Sequence, residues 1–534
     1  MNRERHKRNY DLHSWAGITL GLIVFVVSLT GCFALFADEL RTWEDPAQRL
    51  EVPDTPIAIT DQFDAWLKQH VGEDHVEFVR FDYPSETAPY YAASILLNTE
   101  HGLKDHHAHW NAETGEPIAE RGDGLSVWLL DIHRDFMWPG FLGGRTIGRG
   151  LVGVAGVVLL LAILTGIVAH TKIREEAYAM RLKRSPRLKW QDTHKVVGLW
   201  GLPFFIMIAF TGAVLGIVAL LAPIVAAIAF KGDIEALQHE IFGEHAEPTG
   251  VQVQMLSLEE LHQIHHPDSD RAPVFATFEN YGDETTVVDL FYDADSELLM
   301  NEVISVSGAT GERVSNLLND DMKAATRVNS AIAPLHYATY GGIWLKLLYF
   351  VLGLGLAVIT ALGSMMWIER RKYGNEGARP VSFYDRLGHF NTGIVMGLPV
   401  ATLTLFYLDK LYTGAEAGRL AATGWTYFSV WGAGLLFAFL RRNDYQTTRT
   451  LLLLSGLLAM GIPMLNGVVT GDWFIPELIE DGPVHALVDL SMLLAGCATV
   501  LAGLAAPSRR IEKQRTPGSR AAHLPTENEK TAPG

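Results

Sequence analysis

At 534 residues the chain is too long for one compact soluble core, and 49% hydrophobic residues against 19% charged ones point to a membrane protein. Its net charge of −17 argues against nucleic-acid binding. The two cysteines, Cys32 and Cys497, lie in separate apolar segments, which excludes an iron–sulfur cluster and a covalent C-x-x-C-H haem attachment.

A membrane crossing needs about 20 apolar residues at ~1.5 Å each. Eight segments qualify in chain order: Leu12–Ala37, Leu151–His170, Val196–Ala227, Ile343–Trp367, Gly393–Leu408, Ala421–Leu440, Leu451–Val469 and Val484–Ala505. The first lacks a small-residue cleavage site and reads as an uncleaved anchor. Lys and Arg cluster at the N-terminus (Arg3, Arg5, Lys7, Arg8), in the loop 172–189, and after the fourth, sixth and eighth segments. Simple alternation puts all of these on one side, so the positive-inside rule predicts both termini in the cytoplasm.

Two outside segments interrupt the early helices. In 38–145 the apolar spacing of Ile59, Phe63, Trp66 and Leu67 predicts a short helix, followed by strands at Val76–Phe81, Tyr90–Leu97 and His106–Trp110 and a turn at Thr114-Gly115-Glu116. In 231–340 the plan returns: a helix from Leu256, strands at Val274–Phe278, Thr285–Tyr292 and Val303–Val306, and a turn at Thr310-Gly311-Glu312. The chain therefore divides into 1–37 (tail and first helix), 38–145 (first module), 146–230 (second and third helices with a basic loop), 231–340 (second module), 341–370 (fourth helix), 371–507 (four-helix extension) and a disordered, Pro- and Thr-rich tail, 508–534.

Within this repeat the helices share a motif. His13 is followed by Gly17 and, 17 residues on, by Thr30-Gly31; His194 is followed by Gly198 and, at the same separation, by Thr211-Gly212. A second matched pair is His133, in Leu130–Asp135, and His336, in Pro334–Tyr337, each before a Gly-rich entry to the next helix. One histidine at a membrane edge commonly caps a helix or anchors it, and glycines four apart commonly serve helix packing. Two histidines per repeat on matching faces are a different observation, because neutral imidazoles paired from two helices close a six-coordinate haem. His13 with His194, and His133 with His336, are the expected axial pairs, with Gly17, Gly21, Gly198 and Gly201 leaving room for a porphyrin. His170, His389 and His485 are further edge histidines without a matched partner. In the outside modules His101, His106, His107, His109, His262, His265 and His266 offer metal-ligand spacings, although exposed polar side chains are the simpler reading.

These residues resemble the PepSY-associated transmembrane helix family, which includes iron-regulated membrane proteins and ferric-siderophore reductases. The resemblance rests on the His-x3-Gly…Thr-Gly helices, Leu130–Asp135, Pro334–Tyr337 and the two modules, and covers about residues 10–370. It implies an α-helical integral membrane protein of about eight transmembrane helices, with two small α+β PepSY-like extracytoplasmic modules, in the bacterial inner membrane. It also implies two haems b carried by His13, His194, His133 and His336, and electron transfer to a periplasmic ferric siderophore or similar ferric chelate with release of ferrous iron. No G-x-G-x-x-G follows a strand on the cytoplasmic side, so the donor is expected to be a quinol or a separate reductase, with Tyr384 and Arg386 as candidate contacts. The alternative is a PepSY-containing transporter or binding scaffold without redox activity. Neither H-E-x-x-H nor G-x-S-x-G occurs, which argues against a protease.

Overall fold

In the computed structural model of the chain, residues 3–508 are described apart from 52, 54–55, 71–74, 86–87, 100–101, 120, 122, 143, 171–174, 176–177, 180, 182–185, 234–247, 266–272, 294–301, 318–326, 329, 374–378 and 481–483. The expected disordered tail therefore lies almost wholly outside the described residues. The protein is mostly helical. Among the described residues, five helices are long and apolar enough to cross a membrane: α6 (Gly144–Ala169), α11 (Gly342–Tyr373), α12 (Val381–Leu411), α14 (Asp444–Thr470) and α16 (Val484–Ala505). Two bent pairs raise the number to seven: α1 (Arg3–Thr19) with α2 (Gly21–Ala34), bent by 61°, and α7 (Pro186–Trp200) with α8 (Leu202–Ala229), bent by 72°. The expected sixth span is present as helix α13 (Arg419–Arg441) but falls outside that set. Its first half carries Thr423, Trp425, Thr426, Tyr427, Ser429 and Trp431, which lower its hydropathy.

The two bends are themselves part of the repeat. Both fall just beyond the His-x3-Gly motif, after Thr19 and at Gly201-Leu202-Pro203, where proline at the start of α8 supplies no backbone N–H. Helix α6 meets α8 through backbone rather than side chains: a Cβ on Gly216 would lie 2.6 Å from Gly153 Cα, and one on Gly153 2.7 Å from the backbone nitrogen of Ile217. Small residues permit such an approach in a medium where the hydrophobic effect does not drive helices together. Helix α11 packs along α2 and α7, completing the equivalent arrangement in the second unit.

The two outside segments, expected as separate modules, share a single antiparallel sheet. Strands β1 (His75–Asp82), β2 (Tyr90–Thr99), β3 (Gly102–Asn111) and β4 (Pro117–Ile118) come from the first, and β5 (Phe275–Glu279), β6 (Val287–Tyr292), β7 (Glu302–Ser307) and β8 (Arg313–Leu317) from the second. Their order is β4-β3-β2-β1-β5-β6-β7-β8, with β1 and β5 joined antiparallel from Val79 opposite Phe278 to Asp82 opposite Phe275. First strand meets first strand, so the sheet has the same internal twofold as the helices. Two edges that would otherwise be open are closed against each other. Helices α4 (Thr60–His70) and α9 (Leu258–His265) supply Phe63, Leu67, Leu258 and Leu261 to one common core with Val79, Ile95, Leu290 and Val306. In both Thr-Gly-Glu turns the glycine has φ +70°, the left-handed conformation the sequence predicts there.

The extension joins the repeat at buried polar contacts. Helix α3 (Ala37–Glu44) follows α2, and its Trp43 indole donates to Asp489 Oδ1 at 2.7 Å while Asn466 donates to Asp489 Oδ2 at 2.7 Å. Arg121 and Arg419 both reach Asp409 Oδ1, at 3.0 and 3.4 Å. Buried charges of this kind need partners, and their pairing fixes how the two halves dock.

In the sheet domain Asp283 accepts hydrogen bonds from Thr249 N (3.1 Å), Gly250 N (2.6 Å), Thr285 N (2.9 Å) and Thr285 Oγ1 (2.7 Å). Burial alone would raise its carboxyl, but these donors hold it well below the ordinary carboxylate range. Folded Asp283 thus releases its proton more readily than the unfolded chain, so its stabilisation is present above pH ~4 and is lost as pH falls further. Asp283→Asn should lower the melting temperature at pH 6, with the difference from the parent protein shrinking towards pH 3. A constant difference across that range would contradict this role.

Candidate functional site: two histidine pairs

Helix α5 (Leu125–Asp135) carries His133, and the short helix α10 (Ile332–Tyr337) carries His336. Glu44 fixes the first of these: its carboxylate accepts from the backbone N–H groups of Leu125 (2.8 Å) and Ser126 (3.0 Å) and from the Ser126 hydroxyl (2.7 Å). A carboxylate there satisfies the unpaired amides at the start of α5 and complements its dipole.

The fold brings the four expected histidines together as two pairs. The rings of His13 and His194 have centroids 6.1 Å apart, at 77° to each other. Those of His133 and His336 are 6.3 Å apart, at 25°. The levels are well separated: Gly148, which abuts Asp135, and Ala162, which contacts His13, are about 20 Å apart along α6 at ~1.5 Å per residue.

Every ring is held through the same nitrogen. Nδ1 of His13 donates to the Ala162 carbonyl (2.7 Å), that of His194 to the Ile359 carbonyl (2.8 Å), and that of His133 to the Val27 carbonyl (2.9 Å). His336 Nδ1 bonds Thr211 Oγ1 at 2.9 Å; that hydroxyl donates to the Met207 carbonyl, also at 2.9 Å, and so accepts from the imidazole. A carbonyl accepts only from N–H, so the proton resides on Nδ1 and the lone pair on Nε2. This is the tautomer that presents Nε2 to a metal, with the other nitrogen fixing the orientation of the ring. Burial pushes His133 below the usual imidazole range and His336 down to about 3, so both rings are neutral.

Each imidazole also lies over a glycine. A Cβ on Gly31 would sit 2.8 Å from His133 Cε1, on Gly212 3.0 Å from His336, on Gly166 3.1 Å from His13, and on Gly363 3.4 Å from His194. In three cases the glycine is one helical turn beyond the accepting carbonyl: Val27 and Gly31, Ala162 and Gly166, Ile359 and Gly363. The Thr-Gly pairs of the sequence motif thus receive His133 and His336. Gly166 and Gly363 were not anticipated; Thr165-Gly166 repeats the Thr-Gly dipeptide, and Leu362-Gly363 carries no such signal. Gly17 has nothing within 4 Å and Gly198 only Ile359 Cδ1 at 3.9 Å, so both border open space. Gly201, expected beside them, packs on Phe205.

The remaining histidines stand apart from the pairs. His389 Nδ1 donates to Asp444 Oδ1 (2.6 Å), and His485 Nε2 to Glu477 Oε2 (2.8 Å). His170 lies at the end of α6 without joining either pair. On β3, His106 stacks near His70 (4.7 Å between centroids), while His109, three positions along and so on the opposite face, packs on Tyr90. His107 lies between them on the strand. His262 meets the Tyr292 hydroxyl and His265 the Gly311 carbonyl. His101 and His266 are outside the described residues. Among the described residues no group of three or more His, Cys, Asp or Glu is placed to hold a metal ion.

A fourfold arrangement of this kind on a doubled helix–sheet unit defines a class of membrane protein rather than a soluble binding module. The PepSY-associated TM region matches residues 10–370, and the chain belongs to that family. It is also similar, at 28% identity over 398 residues covering 71% of this chain and 95% of the other, to the Pseudomonas aeruginosa protein named uncharacterized protein PA4219. The family match includes all four paired histidines and ends within α11, so α12–α16 lie beyond it.

The glycine contacts predict a sharp steric response. Gly31→Val and Gly212→Val should each destabilise the protein by about 1–3 kcal/mol in thermal or denaturant unfolding, the range for overpacking. Gly432, with nothing within 4 Å, is the matched control, and Gly432→Ala should stay within about 0.5 kcal/mol. Equal effects at all three positions would refute the contacts.

Proposed function

We propose that this chain is an inner-membrane haem-b oxidoreductase that passes electrons across the bilayer to a periplasmic ferric siderophore or similar ferric chelate. The observation that carries the proposal is the spacing of the two histidine pairs. With metal–nitrogen bonds of about 2 Å and a ring radius of ~1.1 Å, imidazoles on opposite sides of one metal have centroids about 6 Å apart, against 6.1 and 6.3 Å here. The Nδ1 bonds to backbone or threonine oxygen and the open space at Gly17 and Gly198 fit the same reading.

Bound haem would supply one-electron exchange between ferric and ferrous iron. His13 and His194 would hold one such group and His133 and His336 the other, each through the Nε2 lone pair that its Nδ1 bond leaves available. Because each ring is tied to the helices of its own repeat unit, the ligands are fixed before the cofactor enters and change little between oxidation states. The basic residues of the N-terminus and of 172–189 support an orientation with the His13–His194 level towards the cytoplasm, both termini there, the sheet outside and eight crossings. Electrons then run from a quinol or a separate reductase at the first level to the acceptor near the second. Reduction frees iron because Fe²⁺ is held less tightly than Fe³⁺ by hard oxygen ligands.

The expected result is two haems per protein, with His13→Ala and His194→Ala each leaving one, and His133→Ala and His336→Ala each leaving the other. Haem content per purified chain measures this. A folded, colourless protein from haem-replete cells would overturn the proposal and favour a binding scaffold or transporter.

A further inference from the structure

Between the repeat and the extension lies a cavity of about 1660 Å³, walled by α2, α11, α12, α14 and α16. Ligand sites are ordinarily 300–1,000 Å³, so this one exceeds the need of a ring-sized molecule and accommodates a long apolar tail. Along most of its length it is lined by aliphatic and aromatic side chains, from Lys346 at one end to Lys372 at the other, about 39 Å apart along α11 at ~1.5 Å per residue. Helix α16 turns Ser491, Ala495, Ala498 and Ala502 to it, small side chains that leave the space open.

Both ends are polar: at one, Lys346 donates to Glu39 Oε1 at 2.6 Å beside Asp38. At the Lys372 end the wall includes Glu369, Asp444, Tyr445 and Trp190. Asp444 is hydrogen-bonded to His389 Nδ1 at 2.6 Å, Tyr445 donates to Glu369 Oε1 at 3.3 Å, and Lys372 is paired with Asp385 at 2.5 Å. Trp190 stacks on Tyr445, with centroids 6.1 Å apart and planes at 23°. Trp190 stands four residues, one helical turn, before His194 on α7. The Lys372 end of the cavity is therefore the one that lies one turn from the first histidine pair. Tyr384 and Arg386, the expected donor contacts, do not line it; Tyr384 is buried beside Trp367 and Arg386 is exposed.

We propose that this cavity is an isoprenoid-quinol oxidation site, its ring at Asp444, Glu369 and Trp190 and its tail along α16; this rests on the haem reading above. A hydroquinone is neutral and offers two O–H donors, which complement two carboxylates. A phospholipid headgroup would bring its phosphate against the same carboxylates. In the reaction both O–H bonds break and the hydroquinone becomes the quinone. One proton passes to the Asp444 carboxylate, which His389 buttresses, and the other to Glu369. The two electrons would leave one at a time to the one-electron acceptor that His13 and His194 would hold. The extension beyond the family match thereby acquires a task, since α12, α14 and α16 form one wall of the site and α14 supplies Asp444.

The test mixes purified, haem-loaded full-length protein anaerobically with decyl-ubiquinol and follows haem reduction, with dithionite as a quinol-independent reductant. The wild type should be reduced by both. Asp444→Asn should slow haem reduction by quinol at least tenfold without changing the rate of reduction by dithionite. Ala498→Trp, which grows into the cavity and leaves the carboxylates in place, should do the same by excluding the tail. Wild-type quinol rates in both variants, or haem reduced by dithionite and never by quinol, would overturn the site while leaving the haem reading intact. So would phospholipid that co-purifies stoichiometrically in the cavity and is not displaced by quinol. Absence of haem from the wild type would instead overturn the parent reading.

Discussion

The structure depends on a hydrogen bond made four times. Each paired histidine gives its Nδ1 proton to an oxygen of its own repeat unit: His13 to α6, His194 to α11, His133 to α2, His336 to α8. An imidazole in a membrane interior is costly unless its polar atoms are satisfied, and this bond meets half of that need. It also decides chemistry, because the nitrogen left over carries a lone pair, and the pairing across the repeat sets two such nitrogens' rings about 6 Å apart. The glycines follow from the same bond, since an imidazole near enough to reach a helix carbonyl leaves no volume for a Cβ on the next turn.

Duplication supplies the second half of each site. Ligands on one unit alone would make an open, five-coordinate centre; a twofold arrangement closes it with no added residue types. The sheet obeys the same symmetry through β1 and β5, so the two outside segments act as one body bridging both units. Docking of the extension is of another kind. It rests on the Arg121–Asp409 ion pair and on the Trp43–Asp489–Asn466 cluster, contacts that specify a geometry more than they add stability.

Much of this was legible in the sequence because it repeats. The equal spacing from His13 to Thr30 and from His194 to Thr211, together with the shared Thr-Gly-Glu turns, identifies the units, the turn glycines and the four histidines that the fold pairs. Periodicity also placed most strands within a residue or two, but β4 and β8 are short edge strands with little alternation to reveal them. What the sequence concealed is long-range. Nothing local to Val79 or Phe278 says that β1 pairs with β5 rather than ending a separate module, and nothing near Ile359 marks its carbonyl as the partner of His194, 165 residues away. The glycines assigned to cofactor space divide for a local reason instead: Gly17 and Gly198 face open space, whereas Gly201 is filled by Phe205, one turn on in its own helix.

The central claim is that two imidazoles meet at one iron, twice. Electron paramagnetic resonance of the oxidised, purified protein reads axial ligation directly, independent of any donor or acceptor. The account predicts two low-spin ferric signals, one removed by His194→Ala and the other by His336→Ala. A high-spin signal from the wild type, or a single low-spin signal unaffected by either substitution, would contradict it.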